Sequence, residues 1–84
     1  MSVIYRLIGY DPKTEMLAIR HDIPAEKVGQ AKRVAGINID DDTYLGDRKL
    51  DPQQAQQIAK LIGTSVRTDW YDFFLEPYVM GAAA

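Results

Sequence analysis

His21 is the chain's single histidine, and histidine is the side chain that most readily exchanges protons near neutral pH. A catalytic histidine needs a nucleophile or a carboxylate within hydrogen-bond reach. No serine adjoins His21, and on an extended chain Asp22 projects to the opposite side. His21 is therefore expected to be a partly buried structural residue near a strand end. Asn38, Asp40 and Asp42 alternate as in the opening of a calcium-binding loop. Counted from Asn38, the sixth and twelfth places hold Thr43 and Lys49, where such a loop requires Gly and Glu. The acidic stretch 38–42 is thus expected to be a solvated loop whose carboxylates cap and turn the chain. Gly46-Asp47-Arg48-Lys49 lacks both the Gly-rich frame and the following Ser or Thr of a phosphate loop.

Trp70-Tyr71-Asp72-Phe73-Phe74 places four aromatic residues within five positions. Strand aromatics can stack nucleic-acid bases, but a base platform also needs a positive groove. Asp69, Asp72 and Glu76 interrupt this one, so a core or interface role is expected instead. The pairs Asp69/Asp72 and Asp72/Glu76 are the carboxylates available for acid–base work, and a chain this short offers little concave surface for it. Lys27, Lys32 and Arg33 give one stretch a basic side, diluted by Glu26. No catalytic residue, metal site or cofactor is expected.

Composition narrows the classes further. Eighty-four residues make one domain with a thin stability margin. Ten Lys and Arg against twelve Asp and Glu leave a net charge of −2, which argues against a nucleic-acid module or a polybasic membrane binder. The absence of Cys excludes disulfides, thiolate zinc sites and a cysteine nucleophile, and a single His excludes a multi-histidine metal site. No apolar run approaches the ~20 residues of a membrane span, and no signal-peptide pattern is visible. A cytoplasmic protein is expected. Residues 1–80 read as one α+β domain, with 81–84 as a disordered tail.

The elements that must position these residues follow from the pattern. Ser2–Tyr10 and Glu15–Ile23 alternate as strands about an Asp11-Pro12-Lys13-Thr14 turn. Pairing Tyr10 with Met16 puts Val3, Tyr5, Leu7, Leu17, Ile19, His21 and Ile23 on one apolar face. The same register sets Arg6 opposite Arg20. Pro24 opens a helix over 24–35, with Asp22 as its candidate cap and Gly36 at its stop. A short extended piece is expected within 43–50. Asp51 and Pro52 start a second helix over 52–62, with Ala55, Ile58, Ala59 and Ile62 on its apolar stripe. Tyr71–Tyr78 reads as a last strand. The order ββα(β)αβ implies a largely antiparallel sheet with both helices on one face.

The sheet face away from the helices is where function is expected. Ile4, Arg6, Ile8, Tyr10, Met16, Arg20 and Phe74 fall there. Aromatics, Met and Arg are enriched at protein interfaces. The expectation is a small non-enzymatic interaction module, binding a protein partner or itself as a homodimer through that face. Bacterial inhibitors, immunity-type proteins and accessory subunits are the class such a module suggests. The alternative is nucleic-acid or anionic-ligand binding through Arg6, Arg20, Lys27 and Arg33, although the acidic net charge disfavours nucleic acid.

Overall fold

The computed structural model describes residues 2–37 and 47–80. Four strands and two helices follow one another as β1 (Ser2–Tyr10), β2 (Leu17–Ile23), a 3-10 turn (Ala25–Lys27), α1 (Val28–Val34), β3 (Arg48–Leu50), α2 (Pro52–Leu61) and β4 (Asp72–Met80). The sheet order is β2-β1-β4-β3 and every pairing is antiparallel. This is the expected α+β architecture. The last strand, whose neighbours no sequence pattern fixes, inserts between β1 and β3. The acidic stretch 38–42 and the tail 81–84 lie outside the described residues.

Burial selects the faces. Tyr5, Leu7, Ile23, Leu50, Phe73 and Leu75 point toward the helices and meet Ala31, Ala35, Ala55, Ile58 and Ala59 in one core. Ile19 is partly buried against it. The start of α2 and the ends of both helices follow from the chemistry of their termini. The Asp51 carboxylate accepts the Gln54 amide N–H at 2.7 Å, and Gln54 Oε1 accepts the Asp51 N–H at 2.9 Å, a reciprocal cap. The Gln54 Nε2 group donates to the Val34 carbonyl at 2.9 Å, so one side chain also ties α2 to the end of α1. Gly36 and Gly63, at φ +78° and +77°, take the left-handed position after each helix. There the Ile37 and Thr64 amides return to the carbonyls of Lys32 and Ala59.

Four expectations are corrected. First, the hairpin register is shifted by two residues: Arg6 lies opposite Asp22, not Arg20, and Leu7 opposite His21. A two-residue shift leaves the face of every side chain unchanged, so burial cannot distinguish the two registers. Opposite charges across the strands favour the observed one. Second, Leu17 does not join the apolar face. Gly9 pairs with Ile19 but Tyr10 with Leu17, so Ala18 is an extra residue in a bulge and Leu17 is 49% exposed. Val3 is exposed as well, because β2 ends at its pairing with Tyr5 and leaves the start of β1 with β4 alone. Third, Asp22 does not cap α1. Pro24 precedes a 3-10 turn with no side-chain cap, and Asp22 is turned to Arg6. Fourth, Lys32 is not part of a solvated basic side: it is buried, with Nζ 4.9 Å from the centroid of the Tyr5 ring.

The hairpin loop carries the one left-handed non-glycine residue among those described. The Asp11 amide donates to Met16 O at 3.0 Å, and the Glu15 amide donates to Asp11 O at 2.7 Å. The Asp11 carboxylate accepts from the Lys13 amide at 2.8 Å. This closure holds Glu15 at φ +59°, a region that costs an ordinary residue ~1–2 kcal/mol. Glu15→Asn is expected to stabilise the domain by about 0.5–1 kcal/mol. Thermal denaturation followed by circular dichroism should show a midpoint several degrees higher; an unchanged midpoint would mean that the loop relaxes without strain.

Candidate functional site

The helix-free face is ordered in rows by strand pairing. One row runs Arg20–Ile8–Phe74–Lys49 across all four strands. The next runs Asp22–Arg6–Glu76, and the one beyond pairs Ile4 with Tyr78. Tyr10 and Asp72 are opposite one another toward the hairpin end. Ile4, Arg6, Tyr10, Arg20 and Phe74 are thus brought together on the face where they were expected.

Arg6 is the organising group. Its Nε donates to Asp22 Oδ1 at 3.1 Å, its Nη1 lies 4.0 Å from Glu76 Oε1, and its guanidinium sits 4.0 Å from the Tyr78 ring centroid. The Arg6 side chain is only 14% exposed, whereas Asp22 is mostly in solvent. Solvent screening keeps the Asp22 contact below about 1 kcal/mol. Stacking on Tyr78 adds ordering that an ion pair alone does not supply. Beside this group, Tyr10 and Phe74 meet edge to face at 5.7 Å between centroids.

Two expected members differ in kind. Ile8 lies on this face but is 1% exposed, so it supports the face and offers almost no surface to a partner. Met16 sits in the hairpin loop before β2 and is 69% exposed, at the rim. Tyr78, which alternation from Phe74 carries to this side, and Lys49 complete the face. Lys49 depends on how β3 pairs, and no local pattern encodes that.

The other chemical candidates are dispersed. His21 is half-buried on the helix side opposite Leu7. Asp69 lies in the turn before β4, 3.9 Å from Arg67, whose guanidinium covers the exposed Trp70 ring at 3.9 Å. Asp72 and Glu76 stand on either side of Phe74 on one face of β4. Among the described residues, no group of three His, Asp or Glu side chains is placed to hold a metal ion. A cleft of about 370 Å³ beside the hairpin is lined by Asp11, Lys13 and Trp70, and one of about 500 Å³ between the helices by Lys27 and Lys60. Lys27 and Arg33 belong to the helical layer, across the sheet from Arg6 and Arg20, so the four cations do not form one surface. Among the described residues no helix is long and apolar enough to cross a membrane.

No curated protein and no solved structure matches the chain. One family model matches residues 4–76, from early in β1 to the middle of β4, so the chain belongs to the family described as a domain of unknown function, DUF7683.

Proposed function

We propose that this chain is a non-enzymatic protein-interaction module of the cytoplasm whose helix-free sheet face docks on a protein partner. It would act as an inhibitor, immunity-type or accessory subunit. The observation that supports this is the cluster of Tyr10, Phe74, Tyr78 and Arg6 on that face, with Tyr78 still 44% exposed above the sheet. These are the residue types that carry binding energy at interfaces. The face also balances its charges: Arg6, Arg20 and Lys49 stand among Asp22, Asp72 and Glu76. A balanced face with an apolar centre suits a protein surface better than a polyanion.

The test compares capture of proteins from the native host by the wild-type chain and by Phe74→Lys, Tyr78→Ala and a helix-side control, Lys60→Glu. The expected result is a partner held by the wild type and the control and weakened about tenfold or more by both face variants. Circular dichroism spectra should stay native. Equal capture by all four chains, or a salt-sensitive shift with DNA or RNA instead, would sink the reading.

A further inference from the structure

β2 forms one edge of the sheet, and among the described residues no strand lies on its outer side. Exposed edges invite pairing and are usually guarded by Lys, Pro, bulges or brevity. In β2 the charges Arg20 and Asp22 are of opposite sign, and the bulge at Ala18 and Pro24, just past the last residue, stand at the ends. Between them Ile19–Ile23 pairs regularly with β1 and contains no Pro, Gly or Lys. That stretch, Ile19-Arg20-His21-Asp22-Ile23, complements itself when reversed about His21. Isoleucine falls on isoleucine and arginine on aspartate.

From this self-complementarity we infer that a second copy of the chain adds to the β2 edge, antiparallel, with a two-fold axis at His21. Two four-stranded sheets then become one of eight. Each Arg20 stands opposite Asp22 of the other copy on the helix-free face, and each Ile19 opposite Ile23 on the helix side. Arg20 is exposed, and no ion pair engages it among the described residues. Arg6 donates to Oδ1 of Asp22, which leaves Oδ2 for the second copy's arginine. Neighbouring registers fit worse. An axis at Arg20 sets two arginines face to face, and one at Asp22 sets two carboxylates together and Arg20 against a proline. A slip of one residue places the two helical layers on opposite sides of the joined sheet. The isologous contact leaves the helix-free face open and doubles it, so it stands or falls separately from the docking proposed above.

Sedimentation from micromolar to near-millimolar concentration tests it. The wild-type chain is expected to dimerise. Arg20→Asp and Asp22→Arg are each expected to weaken self-association about tenfold or more, because symmetry repeats every like-charged pair. An equimolar mixture of the two variants restores both Arg–Asp pairs and is expected to dimerise as the wild type does. A wild type that stays monomeric, single variants that dimerise normally, or folded variants that fail to pair on mixing would each overturn the inference. Asp22→Arg also loses its Arg6 contact. If it fails to fold, nuclear Overhauser contacts in a mixed-label wild-type sample decide the matter. Ile19 and Ile23 lie ~13 Å apart along one strand, so a methyl contact between them arises only across two chains. Its absence from a concentrated sample counts against the pairing.

Discussion

Replacing Leu75 by Ala is expected to destabilise the domain by about 2–5 kcal/mol, a large share of the stability that a chain this size commands. Leu75 is fully buried in β4, opposite the equally buried Leu7 of β1. Its side chain enters the core that Ala55, Ile58 and Ala59 of α2 close from the other side. Strands hold it laterally, and a ten-residue helix pinned by its cap and by the Gln54–Val34 contact cannot readily sink into the space left behind. Most of the cavity therefore persists, and the cost lies toward the upper part of that range. Urea denaturation should show a lower midpoint with the slope unchanged. Leu17→Ala is the matched comparison. The alternation of the sequence assigns Leu17 to the same apolar face, but the bulge turns it to solvent, and the expected change is within about 0.5 kcal/mol. Equal costs at the two sites would contradict the bulge and with it the register of the hairpin.

That comparison marks where the sequence can be read and where it stops. Asp51-Pro52 and the stripe Ala55, Ile58, Ala59 specify α2 almost to the residue, because capping and periodicity are local physics. Tyr5 and Leu7 of β1 turn inward as their alternation dictates. The hairpin register is different. Slips of two residues preserve every face, so the choice falls to weaker terms: the Arg6–Asp22 pair and a loop that tolerates Glu15 at positive φ. No apolar pattern reveals these. The bulge at Ala18 leaves no mark in composition either. Lys32 reads as surface charge, yet its long apolar stem lets it cover Tyr5.

The same limit applies to the helix-free face. Its β1, β2 and β4 members follow from alternation, whereas Lys49 arrives through a contact between segments far apart in sequence. Ile8 illustrates the converse. Its position on the face follows from parity, but parity does not reveal that it is 1% exposed, between Phe74 and Arg20 in its row. The accessible part of the face is therefore the Arg6–Tyr78 stack, the Tyr10–Phe74 pair and the charged margin, and variants aimed at docking belong there and not at Ile8.

Gly9 sits next to the end of β1 on the core side, where Gly lowers strand stability unless something needs the space. Here the Phe73 ring lies directly over its Cα. A Cβ built at Gly9 would meet Phe73 Cε1 at 2.8 Å, Cδ1 at 3.2 Å and Cζ at 3.3 Å. The ring has nowhere to retreat: Phe73 is buried and meets the Tyr71 ring edge to face at 6.3 Å. Gly9→Ala is thus expected to cost about 1–3 kcal/mol despite alanine's better backbone entropy, and Gly9→Val more, despite its high strand propensity. The cause can be isolated by shrinking the ring. Phe73→Leu alone leaves a gap at Gly9, and the added methyl of Gly9→Ala fills part of it. The double variant is expected to lose less stability than the two single losses added together. Strict additivity in that cycle would place the penalty in the backbone of β1 and not in the contact with Phe73.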